Sequence, residues 1–248
     1  MATIAVGDVH GNYAALEDLL AKVVPELRAG DTLVFLGDVI DRGSRSREVV
    51  ERIVELGDES AFSVVGLIGN HEQWMLKSLA NPCAHSWLLG MGAFDTIASY
   101  CPSAVQRIRE GLETAGMDLF EEKIPLPYEL FFDAVPARHM EFFQGLKLYH
   151  RAPEVICVHG GMDLDGSLDG ANPDTFIWGP EGFPEKYRGK HRVVYGHHND
   201  AREDAGGWPR PAVNANGTYG IDSIAHGVLT AMRFPDSRVF QSARYREG

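Results

Sequence analysis

The chain has 248 residues, of which 44% are hydrophobic and 23% charged, a composition typical of a globular protein. Its formal net charge of −12 argues against a protein that coats nucleic acid, because that affinity comes mainly from Lys and Arg. No apolar stretch approaches the ~18 residues of a membrane helix, and strand-forming residues already begin at Thr3, so we expect a cytoplasmic location without a signal peptide.

The first seventy residues alternate between strand and helix patterns. An apolar run at residues 3–6 precedes helical spacing over 13–27, and a second run at 33–36 precedes an amphipathic helix over 46–56. A third apolar run covers residues 62–68. This β-α-β-α-β order predicts right-handed parallel crossovers, with ligand sites at the carboxyl ends of the strands.

The alternation stops between residue 73 and about residue 145, where helical patterns dominate. We predict that this stretch is a helical insert or cap within a single domain that spans residues 1–248. Strand patterns then resume at four places, namely residues 155–158, 193–195, 218–222 and 227–234. The last two are expected to be antiparallel strands that complete a second sheet.

Five apolar runs each end at polar side chains that could meet at one edge of a sheet. These side chains are Asp8 and His10, then Asp38 and Asp41, then Asn70 and His71, then His159, then His197. Asp8 and His10 are two residues apart at a strand end, so their side chains leave on the same face. Carboxylates and imidazoles gathered in this way predict a site for two divalent metals, which can clamp both oxygens of a phosphoryl displacement.

Five short motifs occur in a fixed order. They are Gly-Asp-x-His-Gly at 7–11, Gly-Asp-x-x-Asp-Arg-Gly at 37–43, Gly-Asn-His-Glu at 69–72, His-Gly-Gly at 159–161 and Gly-His at 196–197. Together they resemble the phosphoprotein phosphatase family of calcineurin-like metallophosphoesterases, which includes small bacterial serine/threonine phosphatases and diadenosine tetraphosphatases. The resemblance spans roughly residues 3–234, and the stretches 87–100 and 220–232 also look like the smaller bacterial members.

The resemblance implies an α/β fold, namely a four-layer α/β/β/α sandwich of two packed mixed sheets flanked by helices, with a helical insert. It also implies two divalent metal ions, with manganese preferred and iron or zinc as alternatives. The implied ligands are Asp8, His10 and Asp38 for the first ion, and Asp38, Asn70, His159 and His197 for the second. Two dications outweigh the two ligating aspartates, so the local charge suits a phosphate even in an acidic chain.

Three residues of the motifs are left for catalysis and substrate binding. His71 is expected to face the leaving group as a general acid, with Asp41 beside it favouring the protonated imidazole. Arg42 has the planar fork needed for bidentate capture of phosphate oxygens.

The sequence departs from the family pattern at one position. The family usually places a second phosphate-binding arginine shortly after a tryptophan, but here Gly179 follows Trp178. Either Arg188, Arg192 or Arg202 replaces it, or the site works with a single phosphate-binding arginine.

Several side chains near the motifs have two interpretations. Glu72 either holds the turn after His71 or simply starts a helix. Asp222 either orients a ligand histidine or bonds within a strand pair. Trp74, Trp87, Phe94 and Tyr100 are expected to pack in the core of the insert rather than to form a wall for a nucleobase.

The predicted reaction is a single-step hydrolysis in which a metal-bridging hydroxide attacks phosphorus in line and His71 protonates the leaving oxygen. The favoured function is a serine/threonine protein phosphatase. Its expected partner is a phosphorylated protein or a small phosphate-containing substrate. A symmetrical bis(5'-nucleosyl)-tetraphosphatase is the alternative enzyme, and a catalytically silent phosphate-binding scaffold is the alternative of another class. Neither nucleic acid nor a membrane is expected as a partner, and the oligomeric state stays open.

Overall fold

The computed structural model describes residues 1–121 and 123–245. The strands in chain order are β1 (Thr3–Val6), β2 (Thr32–Phe35), β3 (Ser63–Gly66), β4 (Tyr149–Arg151), β5 (Ile156–Val158), β6 (Val193–Tyr195), β7 (Arg202–Glu203), β8 (Pro209–Arg210), β9 (Ala212–Val213), β10 (Thr218–Gly220), β11 (Thr230–Phe234) and β12 (Arg238–Gln241). They form two five-stranded sheets and one two-stranded sheet.

Ten α-helices lie in the described part of the chain. They are α1 (Tyr13–Val23), α2 (Ser46–Glu59), α3 (Asn70–Ala80), α4 (Ser86–Gly90), α5 (Ala93–Tyr100), α6 (Pro102–Ala115), α7 (Asp118–Glu121), α8 (Glu129–Phe132), α9 (Ala137–Gly145) and α10 (Pro173–Trp178). Among the described residues, none of the helices combines the length and apolar character that a membrane span requires.

The first large sheet has the order β12-β11-β1-β2-β3 and the second the order β4-β5-β6-β10-β9. In the first sheet, β1, β2 and β3 run parallel, with Thr3 opposite Thr32 and Thr32 opposite Ser63. In the second, β5, β6 and β10 run parallel. Both sheets are mixed because antiparallel strands complete them.

The expectation that residues 218–222 and 227–234 are antiparallel strands of one second sheet is wrong. β10 lies in the second sheet beside β6, whereas β11 lies in the first sheet between β1 and β12. β11 is buried on both faces, with Ala231 in the core below the helices and Met232 between the sheets. A strand that is apolar on both faces suits the interior of a sheet, where each face is covered.

The two large sheets pack face to face, and helices cover their outer faces. The layer between the sheets contains residues from both, including Ala5, Val34, Met232, Cys157, Val194 and Tyr219. The outer face of the first sheet packs against α1 and α2, and that of the second sheet packs against α10. The predicted four-layer α/β/β/α arrangement is therefore confirmed.

The predicted helix over residues 13–27 is shorter in the structure than its apolar spacing indicates. Asn12 caps α1 as expected, accepting a hydrogen bond from the Ala15 amide at 3.1 Å. The helix then tightens into a 3₁₀ turn at Val24–Glu26, because Pro25 lacks an amide hydrogen and cannot continue the α-helical ladder. Farther along, Gly92 with φ 73° separates α4 from α5.

Helices α3 to α9 occupy the stretch in which helical patterns dominate, from Asn70 to Gly145. Trp87, Phe131 and Phe143 are fully buried there and belong to the same core as the outer face of the first sheet. That residues 73–145 form an insert within one domain stays a prediction.

Candidate metal centre

The loops after five strands converge at the carboxyl ends of the parallel strands. Asp8 and His10 follow β1, Asp38 follows β2, Asn70 and His71 open α3 after β3, His159 follows β5, and His197 follows β6. All of these except His197 are buried, and His197 is partly buried. The tertiary structure therefore brings together residues that lie up to 189 positions apart in the sequence.

The backbone of these loops is strained. Seven non-glycine residues in the described chain have positive φ, and five of them belong to the motifs: His10, Asp38, Asp41, Arg42 and His197. A non-glycine residue in this region costs of order 1–3 kcal/mol and persists only where the surroundings determine it. This concentration of strain at the strand ends is a structural sign of a functional site.

Asp38 lies at the middle of the cluster. Its Oδ2 atom is 3.4 Å from Nε2 of His159 and 3.8 Å from Nε2 of both His10 and His71. The ligand atoms form two compact groups that share this carboxylate, His10 with Asp38 and His71, and Asp38 with His159 and His197. One shared carboxylate between two groups of donors is the arrangement that a pair of bridged cations requires.

Backbone contacts orient the imidazoles towards this centre. The Nδ1 atom of His10 is 3.0 Å from the Ile40 carbonyl oxygen, and that of His159 is 3.0 Å from the Leu36 carbonyl oxygen. Because a carbonyl only accepts, each Nδ1 carries its hydrogen there and each Nε2 faces Asp38. Asn70 completes the second group, with Oδ1 3.0 Å from Nε2 of His159 and 2.9 Å from Nδ1 of His197.

The electrostatics of the centre favour added positive charge. Burial lowers the pKa of His10 and of His197 to about 3, so both imidazoles are neutral electron-pair donors. Burial also acts to lower the pKa of His159, but the carboxylates of Asp38 and Asp8 outweigh it and raise that pKa to about 10. A proton is therefore drawn to the place where carboxylate and imidazole donors face each other, and a divalent cation fits the same donor set.

Asp8 lies beside the two groups rather than within them. Its carboxylate accepts from the His197 amide, with distances of 3.2 and 3.1 Å to its two oxygens. Burial and the nearby carboxylate of Asp222 raise the pKa of Asp8 well above its usual value. Its predicted role as a metal ligand stays a prediction.

Asp222 is a buried carboxylate close to this centre. One oxygen accepts from the Asn199 amide at 2.9 Å, which supports the loop after His197. The other oxygen, Oδ1, is buried without a hydrogen-bond partner among the described residues. Burial raises the pKa of Asp222, and the Asp38 carboxylate adds to the effect, as expected where carboxylates crowd without a cation.

His71 and Asp41 form a buried pair. Nδ1 of His71 is 2.8 Å from Oδ2 of Asp41, and neither side chain is exposed to solvent. Burial acts to lower the pKa of His71, but the carboxylates of Asp38 and Asp41 outweigh it, and the pKa is raised above its usual value. Nε2 is then the nitrogen that can exchange a proton with a substrate, and Arg42 lies beside it with Nη2 3.3 Å away.

The helical stretch holds Asp41 in place. The Trp87 indole donates to Oδ2 at 2.8 Å, and the Thr96 hydroxyl donates to Oδ1 at 2.6 Å. Trp87 and Tyr100 are buried, as core packing predicts, but the hydrogen bond from Trp87 was not foreseen. The only sequence signal for it is the resemblance of residues 87–100 to small bacterial family members.

Glu72 connects the loops that carry Asp38 and Asn70. Its buried carboxylate accepts from the amides of Asp38 at 2.9 Å, Val39 at 2.8 Å and Gly69 at 3.0 Å. Glu72 lies in the first turn of α3 and accepts from the amide of its N-cap residue, as the helix-start interpretation predicts. Its bonds to the amides of Asp38 and Val39 also connect this helix start to the loop after β2.

Gly179 occupies the position where the family usually has an arginine. Its φ is 75°, and a Cβ atom there would lie 2.6 Å from the Gly160 carbonyl oxygen, so no side chain fits. Arg42 lines a cavity next to the centre, but none of the expected replacements, Arg188, Arg192 and Arg202, lines it. Arg244 does line it. No sequence pattern points to this residue, which lies beyond the stretch that resembles the family.

Comparison with known proteins agrees with this geometry. The model of the calcineurin-like phosphoesterase family matches residues 1–227, and the chain belongs to that family. It is a metallophosphoesterase, a hydrolase of phosphoric esters, and members of this family use divalent metal ions.

Relatives and solved structures add detail. The chain is 28% identical to the asymmetrical bis(5'-nucleosyl)-tetraphosphatase PrpE of Halalkalibacterium halodurans, over 93% of this chain and 89% of that protein. It is 42% identical to the symmetrical bis(5'-nucleosyl)-tetraphosphatase of Klebsiella pneumoniae, but only over 32% of this chain and 27% of that protein. A serine/threonine phosphatase structure from Saccharomyces cerevisiae, with similarity to human PP5, aligns at a TM-score of 0.56 and 14% identity, covering all of this chain and 81% of that one. At that identity the likeness concerns the fold alone.

The contact between Gly69 and Asp38 gives a first prediction. A Cβ atom at Gly69 would collide with Oδ1 of Asp38, so Gly69→Ala should displace the shared carboxylate and lower turnover of an aryl phosphate roughly 100-fold. Gly57→Ala is the matched control, because a Cβ atom there, in α2, would meet no described residue outside the local helix backbone within 4 Å. The control should keep full activity and gain about 0.5–1 kcal/mol of stability. Equal turnover by the two variants in a steady-state assay would contradict the shared role of Asp38.

The raised pKa of Asp8 gives a second prediction. In the metal-free protein the folded state binds a proton on Asp8 more tightly than the unfolded chain does. The contribution of Asp8 to the free energy of unfolding therefore falls as the pH rises above 3.8. A cation needs the deprotonated carboxylate, so Mn²⁺ should raise the Tm of chelator-treated protein more at about pH 7.5 than at about pH 5.5. At a hundredfold excess over Kd, the gain should reach about 2.7 kcal/mol.

Calorimetry of two aspartate variants provides the control. Asp38→Asn should abolish the Mn²⁺-dependent rise in Tm, whereas the exposed Asp169→Asn should keep it. An unchanged response in Asp38→Asn would show that the ion binds elsewhere.

Proposed function

We propose that this protein hydrolyses bis(5'-nucleosyl) tetraphosphates with the help of two divalent metal ions. The observation that carries the substrate class is a cavity of about 560 Å³ that opens beside His10 and Arg42. Its size falls within the ~300–1,000 Å³ of small-molecule sites. The relation to PrpE over most of both chains supports the same substrate class.

In this proposal His10 and Asp38 hold one ion together with Asp8, and Asp38, Asn70, His159 and His197 hold the other. When bound, the ions would polarise phosphoryl oxygens and lower the pKa of a water molecule. The neutral imidazoles of His10 and His197, and the position of Asp38 in both donor groups, support these assignments. Manganese is the proposed ion, because carboxylate, amide and imidazole ligands suit it, and iron and zinc are the alternatives.

The remaining residues of the centre act on the substrate itself. The Arg42 side chain is exposed and has no carboxylate within ion-pair distance among the described residues, so its guanidinium can bind phosphoryl oxygens. His71 holds a proton near the leaving group, and Asp41 keeps the imidazole oriented through Nδ1. Trp87 and Thr96 prevent Asp41 from turning away.

A serine/threonine protein phosphatase is the second proposed function, and the His71–Asp41 pair favours it. A serine or threonine alkoxide is a poor leaving group and needs a proton from a general acid, whereas a nucleoside diphosphate leaves readily without one. The buried pair, with the pKa of His71 raised, is suited to supply that proton.

A turnover comparison tests the choice between the two functions. With Mn²⁺-loaded protein, we expect kcat/KM for diadenosine tetraphosphate to exceed that for a panel of phosphoserine and phosphothreonine peptides. Chromatography of the products distinguishes symmetrical cleavage, which gives two ADP, from asymmetrical cleavage, which gives ATP plus AMP. Faster hydrolysis of the peptides would replace the first proposal with the second, and inertness towards both substrates would revive the silent scaffold.

The general-acid role of His71 has its own prediction. His71→Asn should lower hydrolysis of a phosphoserine peptide roughly 10²–10⁴-fold, because the alkoxide loses its proton donor. Hydrolysis of an activated aryl phosphate should fall far less, and the exposed His191→Asn serves as the control. Equal losses on both substrates in steady-state assays would refute the general-acid role.

A further inference from the structure

The cavity beside the centre has walls from two distant parts of the chain. His10, Asn12 and Arg42 form the side next to the metal centre. The opposite side consists of the 3₁₀ turn Ile224–His226 with Gly227, and of Arg244 and Tyr245 near the end of the described chain. A molecule held at the centre by one phosphate would therefore extend along this second wall.

Hydrogen bonds fix the segment that carries Arg244 and Tyr245. The Ser242 amide donates to the Leu229 carbonyl at 2.9 Å, and the Tyr245 amide donates to the Gly227 carbonyl at 2.7 Å. Gly227 has φ 75°, and a Cβ atom there would collide with the Tyr245 carbonyl. The two side chains are thus presented by an ordered backbone rather than by a loose tail.

The Arg244 guanidinium is positioned for an anion. It lies over the Trp208 ring, 5.3 Å from the centroid, and Nη2 donates to the Gly207 carbonyl at 2.5 Å. These contacts leave several of its five N–H donors unused. Among the described residues it has no carboxylate within ion-pair distance.

The cavity also has polar groups that inorganic phosphate alone would not use. Glu203 lines it, with Oε1 3.4 Å from Nδ1 of His226. A carboxylate repels phosphate but accepts hydrogen bonds from ribose hydroxyls. Tyr245 adds an aromatic ring, on which any nucleobase can stack.

We propose that this wall is a subsite for the nucleoside and distal phosphate of the substrate, with Arg244 binding phosphate, Glu203 the ribose and Tyr245 the base. This inference rests on the proposed function. In this subsite Arg244 is the second positively charged side chain, which position 179 lacks because it is a glycine. The subsite also explains why the cavity combines two arginines, one carboxylate and one phenol ring. A phosphopeptide has the phosphate but neither the ribose nor the base.

Inhibition of aryl phosphate hydrolysis tests the subsite without requiring cleavage of a dinucleotide. ADP, inorganic pyrophosphate and inorganic phosphate are compared as competitive inhibitors of the Mn²⁺-loaded protein. Arg244→Ala should raise the Ki of ADP about tenfold more than it raises the Ki of inorganic phosphate. Arg188→Ala, an exposed arginine outside the cavity, should leave every Ki as in the parent protein.

Two tyrosine variants separate base recognition from charge. Tyr245→Leu should raise the Ki of ADP about fivefold without a matching rise for pyrophosphate, and Tyr245→Phe, which keeps the ring, should restore ADP inhibition. The subsite is overturned if Arg244→Ala leaves the ADP Ki unchanged, or if Tyr245→Leu weakens ADP and pyrophosphate equally. Failure of the parent protein to cleave diadenosine tetraphosphate would overturn the proposed function alone, because ADP inhibition reports on the subsite independently.

Discussion

The contact between the Asp38 carboxylate and the surrounding imidazoles is the constraint on which the rest of the site depends. Oδ2 faces three Nε2 atoms within 3.8 Å in a place closed to solvent. The Asp38 carboxylate raises the pKa of His71 and of His159, so a proton is held against it there, and a cation can take the same place. The fold maintains this arrangement through the Glu72 carboxylate, which binds the amides of two loops, and through Gly69, where no Cβ could fit. Stability is thereby given up at the centre to keep a site that cations complete.

The helical stretch α3–α9 takes part in the chemistry as well as in the core. Trp87 packs against Phe131 and also donates a hydrogen bond to Asp41, so the same side chain links the helices to the buried His71–Asp41 pair. A change in how these helices pack would therefore alter the orientation of His71. This coupling gives a physical reason for an indole, rather than a smaller apolar group, at that position.

The chain is strongly acidic, yet its proposed substrate is a polyanion. Cations bound at the centre would make the local charge positive, and Arg42 and Arg244 place further positive charge along the adjoining cavity. The remaining acidic surface would disfavour long polyanions such as nucleic acid. Overall charge and local charge thus act at different distances, and substrate selection follows the local one.

The amino-acid sequence by itself determined the parallel β-α-β-α-β start, the four-layer class of the fold and the set of residues that meet at the strand ends. The parallel start and the meeting of residues at the strand ends follow from local rules, because apolar periodicity defines strands and helices, and parallel strands bring their carboxyl ends to one edge. The four-layer class was implied by the resemblance of the motifs to a known family. Only the tertiary structure decided that β11 joins the first sheet, that Trp87 binds Asp41 and that Arg244 faces Arg42 across a cavity. Such pairings join residues far apart in the chain, and they depend on how whole layers pack, which no local pattern encodes.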